Sequence, residues 1–202
     1  MRDPWYNVVP LHERPDLIPQ CCNLLNSEWK RSETARVRSL ETSCRDKYFP
    51  TCLVLLRQNE VLGHCKLSMV YGTTDSVLLE SFLIDSSFRS QGLGSLLLKE
   101  LERYVKRFGI TSVYLLTKGQ EGFYAKNGYE PCAPIGQLND YRDFSIELLN
   151  DKEDKDKGDI ILTGPPPPPM PNDLILMPAP VCLTTPSRTF MKKVLTSSKK
   201  PR

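Results

Sequence analysis

Val77-Leu-Leu-Glu-Ser-Phe-Leu-Ile84 and the following Asp85-Ser-Ser-Phe-Arg-Ser-Gln-Gly-Leu-Gly94 decide the fold of this chain. The first eight residues are apolar enough for a buried strand. Beyond them, an apolar stripe with a period of 3.6 residues predicts an amphipathic helix. The stripe consists of Leu93, Leu96, Leu97, Leu101, Tyr104, Val105 and Phe108. Gly109 directly after it is a typical helix stop, so the sequence predicts a strand, a turn and a helix.

The turn between this strand and this helix predicts an anion site. Gly92 and Gly94 remove side chains where a backbone must approach something closely. The first turn of a helix presents unpaired N–H groups and the positive end of its dipole, which suit a phosphate or pyrophosphate. Arg89 can add a positive charge there. A turn that tolerates glycine and binds no ligand is the alternative.

Three phosphate-binding loops can be compared with this turn. A Walker A loop needs Gly-Lys-Ser/Thr, which is absent, and a Rossmann loop needs a small residue where this chain has Leu97. The pattern Arg/Gln-x-x-Gly-x-Gly/Ala after a strand matches Arg89, Gly92 and Gly94. At this point the sequence resembles the GNAT acetyltransferase superfamily, whose members hold the pyrophosphate of acetyl-CoA on this turn.

A second motif supports the resemblance. Phe123-Tyr-Ala-Lys-Asn-Gly-Tyr129 is similar to the Phe-Tyr-x-x-x-Gly-Phe/Tyr phrase that GNAT domains commonly carry. The resemblance covers roughly residues 5–135 and 189–195. It implies an α/β (mixed α+β) GNAT fold, with a central, mixed, twisted sheet flanked by helices and a proline-rich insertion before the last strand.

The remaining elements fit this architecture. Asp16 is predicted as the N-cap of a helix over Leu17 to Trp29, and Lys118 to Glu121 as the start of a short helix. Strands are predicted within Val8 to Glu13 and over Thr51 to Arg57, Val61 to Met69, Ser112 to Thr117, Tyr129 to Ile135 and Thr189 to Leu195. The second and third of these form a meander with Val77 to Ile84, which then pairs in parallel with Ser112 to Thr117.

Composition narrows the function classes. A net charge of +3 is too small to argue for nucleic acid, and no apolar run has the length that spans a bilayer or marks a secretory signal. Seven cysteines without a Cys-x-x-Cys pair, together with two histidines, make a zinc site or a disulfide framework a poor interpretation. We expect a cytosolic protein with reduced cysteines, without a metal and without a nucleic-acid or membrane partner.

Charge and proline patterns divide the chain into three segments. Residues 1–136 are the predicted GNAT domain, residues 137–187 a flexible, charged and proline-rich insertion, and residues 188–202 the final strand with a basic tail. Within the insertion, Pro165 to Pro169 populates polyproline II, a preformed rod that aromatic grooves recognise.

Within the superfamily, the sequence resembles the N-terminal acetyltransferases that modify the acidic N-terminus of processed actin. The likeness rests on Trp29-Lys-Arg-Ser32 with the basic residues after it, on Leu115-Leu-Thr117 leading to Gln120, and on the proline run before a Phe-Met-Lys strand. It implies acetyl-CoA as the co-substrate, actin as the acceptor, and profilin as a partner for Pro165 to Pro169.

The same resemblance implies roles for individual residues. Backbone groups of Phe82, Leu83 and Ile84 would align pantetheine and polarise the thioester carbonyl. The N–H groups of Arg89, Ser90, Gln91, Gly92, Leu93, Gly94 and Ser95 would hold the pyrophosphate, and Gln120 would contact CoA. Tyr124 would be the general acid for the leaving thiolate, its alternative being a core aromatic. Glu80 and His64 could each be proposed as a base, but we interpret both as structural.

The segment after the first helix is predicted to receive the acceptor. Lys30 to Arg38 contains four basic residues and one acidic one, which on charge alone fits an ordinary solvated surface. An acidic acceptor needs positive partners, however, and arginine forks match carboxylates. The predicted acceptor residues are Trp29, Arg31, Arg36, Arg38 and Ser39. A small amine or another peptide terminus is an alternative acceptor, and a non-enzymatic scaffold that binds profilin-like partners is an alternative function.

Overall fold

The computed structural model describes residues 5–45, 49–135 and 188–195, which build one sheet and four helices. The strands are β1 (Tyr6–Pro10), β2 (Thr51–Arg57), β3 (Glu60–Met69), β4 (Ser76–Ile84), β5 (Ser112–Thr117), β6 (Glu130–Pro131) and β7 (Thr189–Val194). The helices are α1 (Ile18–Glu28), α2 (Glu33–Thr42), α3 (Leu93–Lys106) and α4 (Glu121–Lys126), with 3₁₀ turns at Leu11–Glu13, Pro15–Leu17 and Ser86–Phe88. The proline run and the rest of the predicted insertion lie outside the described residues.

The sheet is mixed, as the sequence predicts, with the order β1-β2-β3-β4-β5-β7-β6. Strands β1 to β4 pair antiparallel in sequence, which confirms the meander. Strand β5 lies parallel to β4 after a crossover through α3, and β7 pairs antiparallel with both β5 and β6. The segment after the predicted insertion therefore returns to the sheet.

Helices cover both faces of this sheet, which explains the uninterrupted apolar runs. In β2, Leu53 and Leu55 join the core cluster that contains α3, whereas Cys52, Val54 and Leu56 join the cluster that contains α1 and α2. Alternate side chains of one strand thus enter opposite cores. A strand buried on both faces reads as continuously hydrophobic instead of alternating.

Helix α3 follows its predicted stripe closely. Gly109 has φ +76°, and the next N–H, from Ile110, donates to the carbonyl of Val105, so the helix ends in the left-handed cap that glycine allows. Two details differ from the prediction. Leu98, absent from the predicted stripe, is buried, and Phe108 at its end is 40% exposed beside Tyr104.

The N-terminal region corrects the sequence prediction in two places. Asp16 is not the cap of the first helix, because its carboxylate binds the Arg14 guanidinium at 2.7 Å and the helix starts after Leu17 without a side-chain cap. The first strand ends at Pro10, since the chain then makes a 3₁₀ turn. Helix α2 was not predicted, although Ser32 caps it by accepting from the Ala35 N–H.

The C-terminal edge also differs. The strand predicted over Tyr129 to Ile135 is reduced to the two residues of β6. Strand β7 is secured by Lys193, whose Nζ lies 2.7 Å and 2.8 Å from the two carboxylate oxygens of Glu102 and 2.8 Å from the carbonyl oxygen of Asn127. One side chain therefore connects the returning strand to α3 and to the end of α4.

Candidate active site

A cavity opens where the parallel ladder between β4 and β5 ends. The ladder stops at the pair Leu79 and Leu115, while β4 continues to Ile84 and β5 to Thr117. The cavity, about 800 Å³ in volume, lies between these two strand ends, the β4–α3 turn, the start of α4 and the end of α1. Because the strands no longer pair there, backbone groups of β4 become available to an extended ligand.

Strand β4 is irregular at this point. Lys66 of β3 pairs with Glu80 of β4, and His64 pairs with Leu83. Between these two pairs, β4 advances by three residues and β3 by two. The extra residue forms a β-bulge, which we call the β4 bulge and which comprises Ser81 and Phe82. Ser81 has φ +49°, a left-handed conformation that is unusual for a residue other than glycine. Both residues of the bulge line the cavity.

The β4–α3 turn presents the start of α3 to the cavity. Ser90 has φ +63°, and Gly92, the residue preceding α3, has φ +81°. No side chain at the N-cap position caps the helix, so within the described residues the N–H groups of its first turn stay available. A Cβ atom on Gly92 would meet nothing within 4 Å, which leaves open space above the turn. Uncapped N–H groups at the positive end of a helix dipole suit an anion such as a pyrophosphate.

Gly94 serves packing between helices. A Cβ atom at this position would lie 3.0 Å from Cζ of Phe123 on α4. The close backbone approach expected from the sequence is therefore an approach to an aromatic ring of the protein. It lets α3 and α4 meet at the cavity wall.

The Arg89 side chain braces the turn. Its Nε donates to the carbonyl of Ile84 at 2.9 Å, and its guanidinium pairs with Glu28 at 2.7 Å. The sequence predicts that Arg89 adds a positive charge for the anion. In the structure, this charge is paired with the carboxylate of Glu28. The pair also joins the β4–α3 turn side of the cavity to the end of α1.

The predicted cofactor residues divide into two groups. Those that line the cavity are Phe82, Leu83, Ile84, Arg89, Ser90, Gly92, Gly94, Ser95 and Gln120. Gln91 and Leu93 do not line it: Gln91 is exposed and reaches back to the Ser87 carbonyl, and the Leu93 side chain is buried in the core. The backbone N–H of Leu93 still belongs to the first turn of α3.

The predicted acceptor residues are spread over the α1–α2 region, and of them only Trp29 lines the cavity. Arg36 is half-buried: its Nε donates to Asn26 at 3.1 Å and its guanidinium to the Trp29 carbonyl at 2.5 Å. Burial, reinforced by the nearby Arg31, lowers the pKa of Arg36 from its usual value. Arg38 is exposed. The structure thus gives Arg36 a bracing role beside any contact with an acceptor.

Tyr124 lies on the wall of the cavity. Its ring is 8% exposed and makes edge contacts with Phe82, Phe123 and Tyr129. Burial, helped by the Cys65 thiol, raises the pKa of Tyr124 above its ordinary value. The phenol therefore keeps its proton at neutral pH, as a general acid must before it acts.

Glu80, a candidate base in the sequence that we interpreted as structural, lines the cavity. It accepts a 2.5 Å hydrogen bond from Ser68 and lies 3.6 Å from the ammonium of Lys66. Lys66 faces Glu80 directly across the β3–β4 ladder. The pairing of these opposite charges across the strands could have located Glu80 from the sequence, but only with the register of the β3–β4 hairpin known.

Cysteine and metal chemistry have little support in the described parts of the chain. The six cysteines described there are free, and burial raises the pKa of both Cys21 and Cys65 to about 12, which keeps them as thiols. The described residues contain no group of three or more metal-ligating side chains. None of the described helices combines the length and the apolar content needed to cross a bilayer.

A comparison with known protein families identifies the class of protein to which this fold and its cavity belong. Residues 18–129, more than half of the chain, match the acetyltransferase (GNAT) family, and the chain belongs to this family. It is similar to N-alpha-acetyltransferase 80 of Mus musculus, with 34% identity over 132 residues, which are 62% of this chain and 41% of that protein. The chain therefore spans less than half the length of this curated relative.

Solved structures show the same fold. An N-acetylglutamate synthase from Neisseria gonorrhoeae, complexed with coenzyme A and N-acetyl-glutamate, has a TM-score of 0.61 at 12% identity, over 97% of this chain and 36% of that one. The ribosomal-protein-S18-alanine N-acetyltransferase from Escherichia coli has a TM-score of 0.51 at 18% identity, over 63% of this chain and 79% of that one. At these identities the likeness concerns the fold alone.

Proposed function

We propose that this chain is an acetyl-CoA-dependent N-terminal α-amine acetyltransferase whose acceptor is an acidic protein N-terminus, that of processed actin. The observation that carries the proposal is the cavity between the ends of β4 and β5, with the uncapped start of α3 at one end. Membership of the GNAT family and the similarity to N-alpha-acetyltransferase 80 support it.

The residues of the cavity fit acetyl-CoA. The first N–H groups of α3 and the open space over Gly92 suit the pyrophosphate. Beyond Leu79, β4 has no β5 partner, so pantetheine can lie along it and leave its thioester near the β4 bulge. Gln120 lines the same cavity and can contact CoA.

The acceptor would approach from the α1–α2 region. Arg31 and Arg36 lie close enough for Arg31 to affect the pKa of Arg36, and Trp29 connects this basic region to the cavity. A chain that begins with several carboxylates gains hydrogen-bonded charge partners there, whereas a cationic acceptor meets like charge.

The proposed chemistry is a direct transfer. The neutral α-amine attacks the thioester carbonyl, a C–N bond forms, and the C–S bond breaks. Tyr124 donates its proton to the leaving thiolate, and the proton that the amine loses passes to water, from which Tyr124 recovers the proton that it gave up. An α-amine has a pKa of about 7.7–8.0, so a useful fraction is neutral near pH 7 without a strong base.

Two further parts of the proposal concern partners and location. The run Pro165 to Pro169 lies outside the described residues, and its composition supports recruitment of profilin. Deleting the run should abolish capture by profilin while acetylation of free peptides continues. Free cysteines support a cytosolic location.

A peptide assay tests the central proposal. Two peptides that differ only in beginning with Asp-Asp-Asp or Asn-Asn-Asn would be compared with a polyamine, using labelled acetyl-CoA. We expect kcat/KM for the acidic peptide to exceed that for its neutral twin by at least about tenfold, which equals about 1.4 kcal/mol. Equal rates would contradict the acidic acceptor. Preference for the polyamine would contradict a peptide acceptor, and absence of CoA binding by calorimetry would contradict the enzyme.

A further inference from the structure

His64 is buried at the centre of the sheet and yet carries polar nitrogens. Its side chain is 1% exposed, and it does not line the cavity. Its Nδ1 lies 3.2 Å from the carbonyl oxygen of Ser81, across the β3–β4 ladder. Its Nε2 is buried and has no hydrogen-bond partner among the described residues. A polar ring that leaves one nitrogen unpaired is costly in a core, so a specific use for the other nitrogen is expected.

The partner of Nδ1 determines the state of the ring. A carbonyl oxygen only accepts hydrogen bonds, so Nδ1 carries the proton and donates it. Burial lowers the pKa of His64 to about 4; the hydrogen bond to Ser81 opposes this shift, and the positive charges of Arg36 and Lys66 add to it. The ring is therefore a neutral imidazole with Nδ1–H pointed at Ser81 and a bare lone pair on Nε2.

The carbonyl that accepts this bond belongs to the β4 bulge. Ser81 has φ +49°, a left-handed conformation that residues other than glycine adopt uncommonly and at some cost in free energy. The strain lies just beyond Leu79, where β5 stops pairing with β4. The residues that follow Ser81, which are Phe82 and Leu83, line the cavity where a thioester would lie.

We propose that His64 is a positioning residue whose Nδ1–H holds the Ser81 carbonyl, and thereby fixes the β4 bulge in the shape that presents its backbone to the thioester. His64 does not touch the substrate, because it is fully enclosed and lies outside the cavity lining. This inference rests on the proposed acetyl transfer. It means that His64, a side chain of the neighbouring strand β3, holds the backbone that orients the reacting carbonyl.

Two substitutions of similar size separate the hydrogen bond from simple packing. In His64→Asn, the side-chain amide can replace the Nδ1–H donor, whereas His64→Leu removes it. We expect His64→Leu to lower kcat by at least about tenfold and His64→Asn to regain most of that loss. The Kd of CoA, whose pyrophosphate is proposed to bind at the β4–α3 turn and not at the bulge, should stay within about twofold of the wild-type value in both variants.

Three results would overturn the inference. These are an unchanged kcat in His64→Leu, a Kd for CoA that weakens in proportion to kcat, or an Asn variant no better than the Leu variant. A structure of each variant gives a readout independent of activity. The φ of Ser81 should remain positive in His64→Asn and leave the left-handed region in His64→Leu. If the wild-type protein acetylates no peptide, the proposed function fails, and the Ser81 conformation alone decides this inference.

A second substitution tests the role of strain. Glycine adopts positive φ without help, so Ser81→Gly should make the bulge less dependent on His64. The loss of kcat caused by His64→Leu should therefore be smaller in the Ser81→Gly background than in the wild type. If His64→Leu alone does not fold, recovery of folding in the double variant supports the inference, and failure of the double variant to fold refutes it. Equal losses of kcat in both backgrounds would also refute it.

Discussion

The two ends of the cavity are built in different ways. At the β4–α3 turn, the site is made of backbone: a left-handed Gly92, a left-handed Ser90 and uncapped N–H groups. At the α1–α2 end it is made of side chains, with Trp29 at the cavity and Arg36 bracing two helices. The Arg89–Glu28 ion pair connects the two ends.

The backbone end is hard to change by substitution, whereas the side-chain end is easy to change. Backbone N–H groups recognise a diphosphate whatever the acceptor is, and few substitutions can change them without changing the chain's path. Side chains can be exchanged singly, so the proposed acceptor end at α1–α2 can adapt to a different acceptor while the proposed cofactor end stays the same. Under this proposal, one cavity keeps its co-substrate and varies its specificity.

The largest expected effect comes from blocking the backbone end. Gly92→Trp should reduce CoA affinity by at least about a hundredfold, since the bulky ring would fill the space over the turn; that equals about 2.7 kcal/mol. Gly109→Trp is a matched control at the other end of α3. Both glycines have positive φ and open surroundings, so both variants carry the same backbone strain.

Calorimetry with CoA and a thermal melt distinguish binding from folding in this pair. The Gly109 variant should bind CoA within about twofold of wild type, with a similar loss of stability to that of the Gly92 variant. If both variants lose affinity equally, backbone strain and not occupation of the turn explains the effect. Full CoA affinity in Gly92→Trp would contradict the assignment of the pyrophosphate to this turn.

An intermediate effect is expected on the wall between the two ends. Tyr124→Phe should lower kcat by about 10²-fold, the usual size for loss of a general acid, without weakening CoA binding. Tyr129→Phe is the matched control, because its ring packs on Tyr124 at 5.8 Å and it does not line the cavity. Removing the Tyr129 hydroxyl should leave kcat unchanged.

The pH profile sharpens the same test. Burial raises the pKa of Tyr124, so the phenol stays protonated throughout the neutral range and contributes no change in rate there. The rate should rise with pH as the acceptor amine loses its proton near pH 8 and then level off. A fall in rate between pH 7 and pH 9 that disappears in Tyr124→Phe would contradict this assignment.

The smallest expected effect lies at the side-chain end. Arg36→Glu should reduce the preference for the Asp-Asp-Asp peptide over the Asn-Asn-Asn peptide by about tenfold, through like-charge repulsion. Arg103→Glu on α3 makes the same charge change far from α2 in the chain and controls for general steering. Since Arg36 also holds Asn26 and the Trp29 carbonyl, a loss of about 1–3 kcal/mol in stability is expected. Equal losses of rate on both peptides would leave Arg36 with the bracing role alone.

Predictions that rest on local chemistry agree with the structure. The α3 stripe, its glycine stop and the predicted meander follow from hydrophobic period and turn residues, which act over a few positions. The predictions were less accurate where two local interactions compete or where packing against the rest of the fold decides burial. Asp16 binds Arg14, two residues away, instead of capping a helix, and Leu98 is buried although it lies outside the predicted stripe.

By itself, the sequence determined the strand, turn and helix around Gly92, the alternation of buried elements, and the motifs that place the chain in its family. Only the tertiary structure decided that the β4–β5 ladder ends at Leu79, that Gly94 makes room for Phe123, and that Arg89 and Arg36 are braces. The physical reason is the separation in sequence over which each kind of interaction acts. Periodicity and backbone preference act between neighbours in sequence, whereas a cavity and its hydrogen bonds arise from residues that meet only after the sheet has formed.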